Sequence, residues 1–597
     1  MNRTGQTIRP DRDEQTDRDE RTGRDEQTDS TAQTRGPAAL PTADHVVAHT
    51  LLNCLLREVS GPEHQTCVAD GQLLVRLPRR GVVLQVELRR ASLIGAHRFA
   101  GPVFEQTASG RREVGWREVA EHIQAELTLR SGATNEEFLK QVASSRDGVA
   151  LALSERQAAG EDRYLESEQA LLFGHRFHPA PKARSAERGT WTDYAPESRA
   201  EFQLRHLAVR TAFIAQEAVD PEALALVDAL GDVPPGYTLL PAHPWQYELL
   251  GDHPVLRRAL ERGDVIDLGL RGASFAATAS VRTLHGADMF LKFSLNVRIT
   301  NCLRKNSAYE LAGAVELTRL LAEPFAELAD RFPDAAMLRE PAFRTVALPG
   351  ADGADGAADN VLFEGFGFIV REGLASRVRP GLTPLLAAAV ADEYPTSSAH
   401  VSALLDGNGP DQARRWWADY LRLLIPPVLA AYFEHGIVLE PHLQNVLICV
   451  DAAGRPAQVL FRDLEGTKLV PDHNSVLLSR LPAEVAGPIT YDAQRGWDRV
   501  VYCLLVNHVS ELLAAIADRH PAAEPGLWAE VRAVLAEYAD QYGRPPRLAA
   551  LLAGVPLPAK ANLLTRWARK ADREAGYVPL PSPLAEDVLQ AAARSAA

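Results

Sequence analysis

The chain has 597 residues and a formal net charge of −14, and 46% of its residues are hydrophobic while 24% are charged. This length is too great for one hydrophobic core and predicts roughly three to four domain-sized units of an ordinary globular protein. The acidic balance argues against a general nucleic-acid-binding protein and against a protein of anionic membrane surfaces, although it is compatible with a local basic site for an acidic ligand.

The cysteines and the apolar runs indicate a protein of the cytoplasm. The five cysteines are odd in number and widely spaced, so they predict neither a disulfide framework nor a cysteine-based metal site. The N-terminus is polar and charged, and no uninterrupted apolar run approaches the roughly 20 residues that a membrane helix needs. We therefore expect a cytoplasmic protein that enters no membrane.

Residues 1–40 contain an imperfect repeat, RDEQTDRDERTGRDEQTD, with almost no large apolar side chains. Alternating charge without apolar residues predicts a disordered tail. Apolar residues then recur at helical spacing over 43–59, alternate over 71–93 and return to helical spacing between 116 and 145. These patterns predict an α+β N-terminal domain over residues 41–185.

Two loops carry polar residues that could face a ligand. In ALLFGHRFHPAPKAR (170–184), two prolines predict a rigid, extended loop that holds His175, His178 and Lys182. An ordinary structural loop is the alternative, and the lack of a further Cys or His cluster argues against zinc. The stretch HPWQ (243–246), which follows an apolar strand, is a second loop of this kind.

The stretch 274–307 contains two alternating runs around a HGAD turn, which predicts a β-hairpin. Ser280 and Arg282 would share one face because strand side chains alternate with period two. Lys292 would lie opposite Val281 if the Gly-Ala pair of HGAD forms the turn, and opposite Arg282 if the loop is one residue longer. Buried unpaired charges are costly, so we expect Arg282 and Lys292 to face solvent or a bound anion such as a triphosphate or polycarboxylate.

The later part of the chain changes from strand patterns to helical ones. Residues 361–372 predict a strand, and Leu-rich helical patterns dominate from about 380 onward. We therefore predict a central β-rich domain over residues 186–385 and a mostly helical C-terminal domain over residues 386–597. The predicted fold class is α+β.

The C-terminal domain contains HGIVLEPHLQNVLICVDAAGRPAQVLFRDLEGTK (435–468). The runs VLICV and QVLFR flank a turn and predict a second hairpin, which would bring Asn445 and Asp463 together at one edge. Such oxygen donors suit Mg²⁺, which proteins usually hold by one or two carboxylates plus substrate phosphates. The alternative is a polar hairpin rim that binds no metal. The incoming loop adds three further polar side chains: Glu440, His442 and Gln444.

The chain lacks the P-loop, a complete dinucleotide loop, the HExxH motif and the GxSxG elbow, so a nucleotide would need an unusual site. Six motifs follow one another in a fixed order over roughly residues 165–570: GHxxHPxxK, HPWQ, SxRT with the later K and ITNxxR, LEPHLQN, RDLEG and AKANLLTR. Together they resemble the motifs of the IucA/IucC family of siderophore synthetases, which join carboxylic acids to amines or alcohols without a non-ribosomal peptide synthetase. The opening AHTLLNCLLREV is similar to members that act on free citrate.

The resemblance implies a cupped-hand fold with thumb, fingers and palm, which would correspond to the three predicted domains, with a kinase-like hairpin in the palm. It implies a homodimer that uses ATP and Mg²⁺ and takes a small carboxylate, citrate as first choice, with an amine or alcohol. The implied reaction adenylates the carboxylate, releases pyrophosphate, and then forms the amide or ester with release of AMP. No covalent enzyme nucleophile is needed.

The resemblance also implies roles for individual residues, to which Lys182, Lys560 and Arg566 are added as cationic candidates. The residues expected to bind ATP are Ser280, Arg282, Thr283, Lys292, Gln444, Asn445 and Asp463. Those expected to hold Mg²⁺ are Glu440, Asn445 and Asp463. Those expected to bind the carboxylate substrate are His175, Lys182, Thr300, Arg304, His442, Gln444, Lys560 and Arg566. Of these, Arg304, His442 and His175 are the expected catalytic residues.

Two other functions remain open at this point. Glu440, Asn445 and Asp463 occur in the order of the catalytic acid and the two metal ligands of a kinase, which favours a small-molecule kinase. Two features argue against a kinase: the acidic residue is followed by Pro441 and His442, and the sequence has no Gly-rich loop before it. A citrate- or siderophore-binding protein without turnover could use the same basic residues.

Deletion of residues 1–40 is expected to leave turnover and stability nearly unchanged, because this segment has too little apolar surface to offset the entropy of ordering it. The measurement is turnover and thermal unfolding of the truncated protein beside the full chain. A large loss of turnover would contradict the prediction.

Overall fold

The computed structural model describes residues 40–156, 160–184, 191–299, 302–350, 357–571 and 574–596. Helix α1 (Ala43–Leu55) begins at Thr42, whose side chain accepts a hydrogen bond from the His45 N–H at 3.3 Å, an N-cap arrangement. The helix continues as a π-helical turn over Leu56–Ser60. The apolar spacing over 43–59 therefore predicted this helix correctly.

The N-terminal strands form an antiparallel sheet in chain order, and α1 packs against it and against the next two helices. The core between them also contains Leu563 and Trp567 from the far end of the chain. Glu58 joins the same two regions, because its carboxylate accepts from the Leu563 and Leu564 N–H groups at 2.9 and 2.8 Å. The elements are β1 (Thr66–Ala69), β2 (Gln72–Leu77), β3 (Val82–Arg90), β4 (Arg98–Thr107), β5 (Gly110–Val114), α2 (Trp116–Ser131), α3 (Phe138–Ser154) and α4 (Arg163–Gln169).

The central part of the chain is built on an eight-stranded antiparallel sheet that lies over its own apolar core. Its elements are β6 (Glu201–Arg210), β7 (Ile214–Ala218), α5 (Pro221–Asp228), β8 (Tyr237–Ala242), α6 (Pro244–Leu250), α7 (Pro254–Arg262), β9 (Val265–Ala277), β10 (Thr283–Gly286), β11 (Met289–Phe293), β12 (Leu295–Ile299), β13 (Cys302–Arg304), α8 (Ala308–Leu320), α9 (Ala322–Arg331), β14 (Ala335–Met337), β15 (Ala342–Val346), α10 (Asn360–Phe366), β16 (Phe368–Glu372), β17 (Thr383–Leu386) and α11 (Ala387–Val390). The strand order is β7-β15-β16-β11-β10-β9-β6-β8.

The predicted hairpin of this sheet is confirmed, but both predicted registers are wrong. Ala287 and Asp288 form the two-residue turn, both with φ 49°, and Lys292 pairs with Thr283. Positive φ at both central residues is the conformation of a type I′ turn. Gly286 stays in strand β10, where a Cβ would lie 2.8 Å from the ring of Phe275. The glycine therefore serves a close contact between strands and is not the turn residue.

A second correction concerns residues 361–372, which the apolar pattern predicted as one strand. The first part is the short helix α10, and only Phe368–Glu372 forms strand β16. Asp359 caps the helix, since its side chain accepts from the Leu362 N–H at 3.0 Å. A capping aspartate is the signal that distinguishes this helix from a strand.

The C-terminal part is mostly helical around a four-stranded sheet of order β14-β20-β19-β17, in which β14 and β20 are parallel. Its elements are α12 (Val401–Leu404), α13 (Pro410–His435), β18 (Ile437–Val438), β19 (Val446–Val450), β20 (Pro456–Phe461), β21 (Lys468–Leu469), α14 (Pro471–Leu478), α15 (Ala483–Ile489), α16 (Ala493–Val501), α17 (Ser510–Ala517), α18 (Glu524–Tyr542), α19 (Pro546–Leu552), β22 (Leu557–Lys560), α20 (Asn562–Trp567), β23 (Tyr577–Leu580) and α21 (Glu586–Ala596). The mixed α+β class is as predicted.

The second predicted hairpin is also confirmed, as β19 paired antiparallel with β20. Helix α13 leads into it and ends at Gly436, which takes a left-handed conformation with φ 61°. A side chain there would also meet His473 and Asn474 at 2.8 Å. The turn at this glycine directs the chain from the long helix into the loop that carries residues 440–445.

One helical run is longer and more apolar than the sequence analysis expected. Helices α16 and α17 join through a π-helical segment, Tyr502–Val509, into a continuous helix from Ala493 to Ala517. By length and composition this helix could cross a membrane, but its apolar window is wholly buried inside the protein. It is a core helix, and polar residues within it face the cavity described below.

Gly286→Ala is expected to destabilise the protein by about 1–3 kcal/mol, because the added methyl group overlaps the ring of Phe275 and the sheet must shift to admit it. The measurement is the free energy of unfolding in urea. Gly526→Ala in helix α18 is the matched control: its Cβ meets no atom within 4 Å, so stability should stay constant or rise by up to about 1 kcal/mol. Equal effects of the two substitutions would contradict the packing argument.

Candidate active site

A cavity of about 1060 Å³ lies where distant parts of the chain meet. Its walls come from α1, the loop at 174–182, the β10–β11 hairpin, the loop at 440–445 and the helix at 493–517, and Lys560 of β22 also lines it. Both hairpins that the sequence analysis singled out therefore face the same space.

At one end of this cavity, buried cations alternate with carboxylates. Lys292 is only 2% exposed, contacts the carboxylate of Asp463, and lies 2.6 Å from Glu465 Oε2. Arg282 donates to the same Glu465 oxygen at 2.8 Å. Arg371 lies 3.3 Å from Asp463 Oδ1. The partners of these cations are carboxylates at the end of the second hairpin, and not the predicted solvent or bound anion, since a buried charge requires a partner of opposite sign.

This network keeps its carboxylates ionised. Burial alone would raise the pKa of Asp463, but Lys292 and Arg371 outweigh it and hold the pKa far below its usual range. Burial is likewise outweighed at Glu465, whose pKa is about 2 because Lys292 and Arg282 lie beside it. The pKa of Lys292 is raised, since the surrounding carboxylates more than offset burial. The cluster thus carries fixed charges of both signs at neutral pH.

The backbone at the end of the second hairpin is unusual. Asp463 has φ 77° and ψ 75°, a left-handed conformation that aspartate tolerates better than most residues. The preceding Arg462 pairs with Glu168 of α4 at 2.5 and 3.2 Å. Glu168 also accepts from Tyr164 Oη at 2.9 Å and from the Ala279 N–H at 3.1 Å. One buried carboxylate therefore joins α4, the second hairpin and the segment before Ser280.

Ser280 and Arg282 both line the cavity, but not for the predicted reason. Residues 279–282 form a turn and bend between β9 and β10, so strand alternation does not apply to them. Val281 between them has φ 69°, which is a strained conformation for a β-branched residue. Its side chain packs in a cluster with Trp191 and Leu295, with Trp245 of the HPWQ stretch against it.

The loop at 440–445 is fixed by the long core helix. Arg499 donates to Glu440 Oε1 at 2.7 Å, and Asn507 Oδ1 accepts from the Leu443 N–H at 3.2 Å. His508 is fully buried, with Nδ1 2.9 Å from the Pro441 carbonyl and Nε2 2.6 Å from Tyr420 Oη. These contacts hold the loop before and after His442.

The two histidines of the predicted substrate site are neutral groups in this cavity. Desolvation within the cavity walls lowers the pKa of both His175 and His442. His175 Nδ1 accepts from the Phe177 N–H at 3.0 Å, and Nε2 lies 2.8 Å from Asn507 Nδ2. At neutral pH these imidazoles therefore contribute hydrogen bonds and not positive charge.

The donors near the second hairpin fit Mg²⁺ only as a partial site. Asp463 is 32% exposed at its side chain, and the Asn445 amide nitrogen donates to the Glu440 carbonyl at 3.3 Å. Asn445 and Asp463 both line the cavity. No cluster of three or more His, Cys, Asp or Glu side chains suited to a metal occurs among the described residues. Such a donor set suits a cation that also takes phosphate oxygens as ligands.

Most of the predicted site residues come together in this cavity. Arg566 does not line it, because its side chain turns to α3, where Nε donates to Gln141 Oε1 and Nη2 lies 3.8 Å from Glu137. Thr300 and the side chain of Arg304 lie outside the part of the chain that the structure describes. The predicted residues that line the cavity are His175, Lys182, Ser280, Arg282, Thr283, Lys292, Glu440, His442, Gln444, Asn445, Asp463 and Lys560.

Sequence reasoning missed several polar residues of the lining. Glu465 follows Asp463 by two residues in the RDLEG turn, so its proximity could have been inferred from the hairpin. Arg371 comes from strand β16, and others come from helices whose patterns indicate only a core face, so nothing in their spacing marks them. Among the missed residues are Arg57, Glu168, Arg371, Glu465, Arg499, Asn507 and Glu511.

The chain is similar to proteins of siderophore biosynthesis. The profile of the IucA / IucC family matches residues 163–392, and a profile described as "Ferric iron reductase FhuF-like transporter" matches residues 414–575. The rhizobactin siderophore biosynthesis protein RhbC of Rhizobium meliloti is 28% identical over 585 residues, which are 90% of this chain and 97% of that protein. The L-2,3-diaminopropanoate–citrate ligase of Staphylococcus aureus is 28% identical over 442 residues, or 71% of this chain and 75% of that one.

The fold is also that of a solved synthetase. The structure of the ATP-bound aerobactin synthetase IucA from a hypervirulent pathotype of Klebsiella pneumoniae superposes with a TM-score of 0.80 at 25% identity, over 91% of this chain and 99% of that one. The resemblance that the motifs indicated is therefore confirmed. Residues 163–392 of the chain are therefore similar to the IucA / IucC family, and the whole fold is similar to that of an aerobactin synthetase.

Proposed function

We propose that the protein is an ATP-dependent ligase of siderophore biosynthesis that activates a carboxylic acid, citrate as first choice, and joins it to an amine or alcohol. The observation that carries this proposal is one cavity in which the charged cluster around Lys292 faces the His442 loop and His175. The cluster suits a nucleotide triphosphate, and the loop suits a second, carboxylate ligand. The similarity to an ATP-bound synthetase and to a citrate ligase supports both assignments.

The proposed reaction has two steps. A carboxylate oxygen of the acid attacks the α-phosphorus of ATP, the new acyl–oxygen–phosphorus link forms, and the α–β anhydride bond breaks to release pyrophosphate. The nucleophile's nitrogen or oxygen then attacks the acyl carbon, the carbon–oxygen bond to AMP breaks, and AMP leaves with that oxygen. The proton of the attacking group passes to solvent.

The main obstacle in the first step is repulsion between two anions. Arg282 and Lys292 are buried cations whose charge can be shared between protein carboxylates and a phosphate chain, which stabilises charge that develops on the leaving oxygens. Lys560 also lines the cavity and supplies a cation for the acid. His175 and His442, as neutral imidazoles, would orient a carboxylate by hydrogen bonding.

Asp463 and Asn445, with Glu440 nearby, are the residues that would hold Mg²⁺. When bound, this ion would screen the negative charge of the phosphates. The Asp463 carboxylate stays ionised because Lys292 and Arg371 lie beside it, so it is available as an oxygen donor throughout the working pH range.

Several parts of the family resemblance stay predictions for this chain. These are a thumb, fingers and palm division at residues 41–185, 186–385 and 386–597, assembly as a homodimer, and action in the cytoplasm. A substrate role for Thr300 and Arg304 also stays a prediction. The choice of citrate rests on the relatives' names and on the number of cations in the cavity.

The function is tested by incubating the protein with ATP, Mg²⁺, hydroxylamine as a generic nucleophile and a panel of carboxylic acids, while pyrophosphate, ADP and hydroxamate are measured separately. We expect pyrophosphate and hydroxamate to form together with citrate and to be lost in Asp463→Asn. ADP without hydroxamate would indicate a kinase. Binding of citrate without nucleotide turnover would indicate a binding protein.

Lys560→Ala and Arg566→Ala are expected to differ, although both remove one cation from the same short segment. Because Lys560 lines the cavity, its loss should lower kcat/KM for the acid by about 10–100-fold, the scale of one charge-assisted contact. Arg566→Ala should leave kcat/KM within about twofold and instead lower the unfolding free energy by about 1–3 kcal/mol, since it bonds Gln141. The measurements are kcat/KM for the acid by steady-state kinetics and the free energy of unfolding in urea, for both variants. The reverse pattern would contradict the placement of the two residues.

A further inference from the structure

The carboxylates of the cavity differ in what holds them. In the described ranges nine of them line it, and seven of these form an ion pair. The other two are Glu310 and Asp392. Both oxygens of Glu310 are in use, because they accept from the Ser307 N–H at 2.7 Å and from the Tyr309 hydroxyl at 3.2 Å. Asp392 uses only Oδ1, which accepts from the Tyr394 N–H at 3.1 Å, so Oδ2 keeps its capacity to accept a proton.

The backbone holds Asp392 beside the His442 loop. Asp392 comes four residues after Ala388, whose N–H donates to the Leu443 carbonyl at 3.1 Å. Leu443 directly follows His442. On the other side, His400 Nε2 donates to the carbonyl of Asp392 itself. These two contacts fix the segment that carries Asp392 against the loop that carries His442.

The second histidine of the predicted substrate site is also close to this segment. The Lys182 side chain packs against Gly174, where a Cβ would lie 3.5 Å from Lys182 Cε, and Gly174 directly precedes His175. The charge of Lys182 acts on Asp392, and both side chains line the cavity. Asp392 is therefore placed near both histidine segments, where the activated acid would form.

The groups around Asp392 allow it to gain and lose a proton near neutral pH. Desolvation by the cavity walls raises the pKa of Asp392 to about 7, and the charge of Glu393 acts in the same direction. The N–H that bonds Oδ1, Arg98 of β4 and Lys182 lower this pKa without outweighing the desolvation. The His400 imidazole has a pKa of about 4 because it is buried, so it adds no charge at neutral pH. A general base is most effective when its pKa lies near the working pH.

We propose that Asp392 is the catalytic base of the second step. As the nitrogen or oxygen of the nucleophile attacks the acyl carbon, its proton passes to Asp392 Oδ2, the carbon–oxygen bond to AMP breaks, and AMP leaves with that oxygen. Asp392 then releases the proton to solvent, which restores the carboxylate. The first step joins a carboxylate to phosphorus and moves no proton, so it needs no base. The inference rests on the proposed function for the reaction, and on the cavity wall for the choice of residue.

Asp392→Asn tests this role, because the amide keeps the size of the side chain and the acceptor for the Tyr394 N–H but cannot take up a proton. Exchange of pyrophosphate into ATP, with the acid that gives the most hydroxamate, reports the first step and should be unchanged. Amide formation from 1,2-diaminoethane at neutral pH should fall by about 100-fold or more, the scale of one general base. Asp419→Asn, in an exposed pair with Arg422, is the matched control and should change neither rate.

A second nucleophile distinguishes a base from a residue that only supports the fold. Hydroxylamine is weakly basic, so its nitrogen is unprotonated at neutral pH and loses its proton to water after the attack. Hydroxamate formation should therefore be unchanged in Asp392→Asn. Equal losses with hydroxylamine and with 1,2-diaminoethane would overturn the proposal. A wild-type protein that forms the hydroxamate but no amide from the diamine would overturn it as well, since such a protein has no base for an ordinary amine.

The pH dependence gives an independent readout. The ratio of the wild-type rate of amide formation to that of Asp392→Asn removes the ionisation of the amine, which is common to both measurements. A carboxyl group with a raised pKa is a base only above that pKa, so the ratio should be constant above a pH of about 7 and fall below it. A ratio that does not change with pH would overturn the proposal.

The same measurements separate this proposal from the proposed function. If the wild type exchanges pyrophosphate and Asp392→Asn forms the amide at the wild-type rate, the base is refuted and the ligase function stands. If the wild type shows no exchange with any acid, the ligase function is refuted and the base falls with it. Loss of exchange in Asp392→Asn alone would mean that Asp392 serves the first step or the fold, which overturns its role as the base.

Discussion

The structure of the site depends on one requirement, that a buried charge must have a partner of opposite sign. Lys292 is almost fully buried in the central sheet, and its partners Asp463 and Glu465 come from the hairpin of the C-terminal part. Removing one member of such a pair typically costs several times more than the pair contributes. These ion pairs link the two hairpins, and both hairpins line the cavity.

Local patterns were enough to predict both hairpins and the α+β class, because strand propensity and turn chemistry act over a few residues. The register of β10 and β11 was not predictable, since Gly286 looks like a turn residue and its actual constraint is the ring of Phe275 on a neighbouring strand. The prediction of one strand over residues 361–372 was wrong for a related reason. Their apolar residues suit either a helix or a strand, and only the cap from Asp359 favours the helix.

Site residues that lie in sequence motifs could be predicted. Residues that only contact those motif residues in space, or face the same cavity, could not. His442 and Asp463 lie in polar stretches beside strands, which marks them. Glu168, Asn507 and Glu511 lie in helices whose spacing indicates only a core face, yet their side chains fix or face the same cavity. A partner of this kind is defined by distance in space, and one sequence carries no information on that distance.

The contact between Glu58 and the backbone of Leu563 and Leu564 has a consequence for how the protein is made. The two hydrogen bonds span sequence separations of 505 and 506 residues. Leu563 and Trp567 also complete the N-terminal core. During synthesis, part of the apolar surface of the N-terminal sheet therefore stays exposed to solvent until nearly the whole chain has left the ribosome. Such late, long-range closure is slow and favours aggregation of the waiting segment. The end of the cavity that carries Arg57 is thus the last part of the site to take shape.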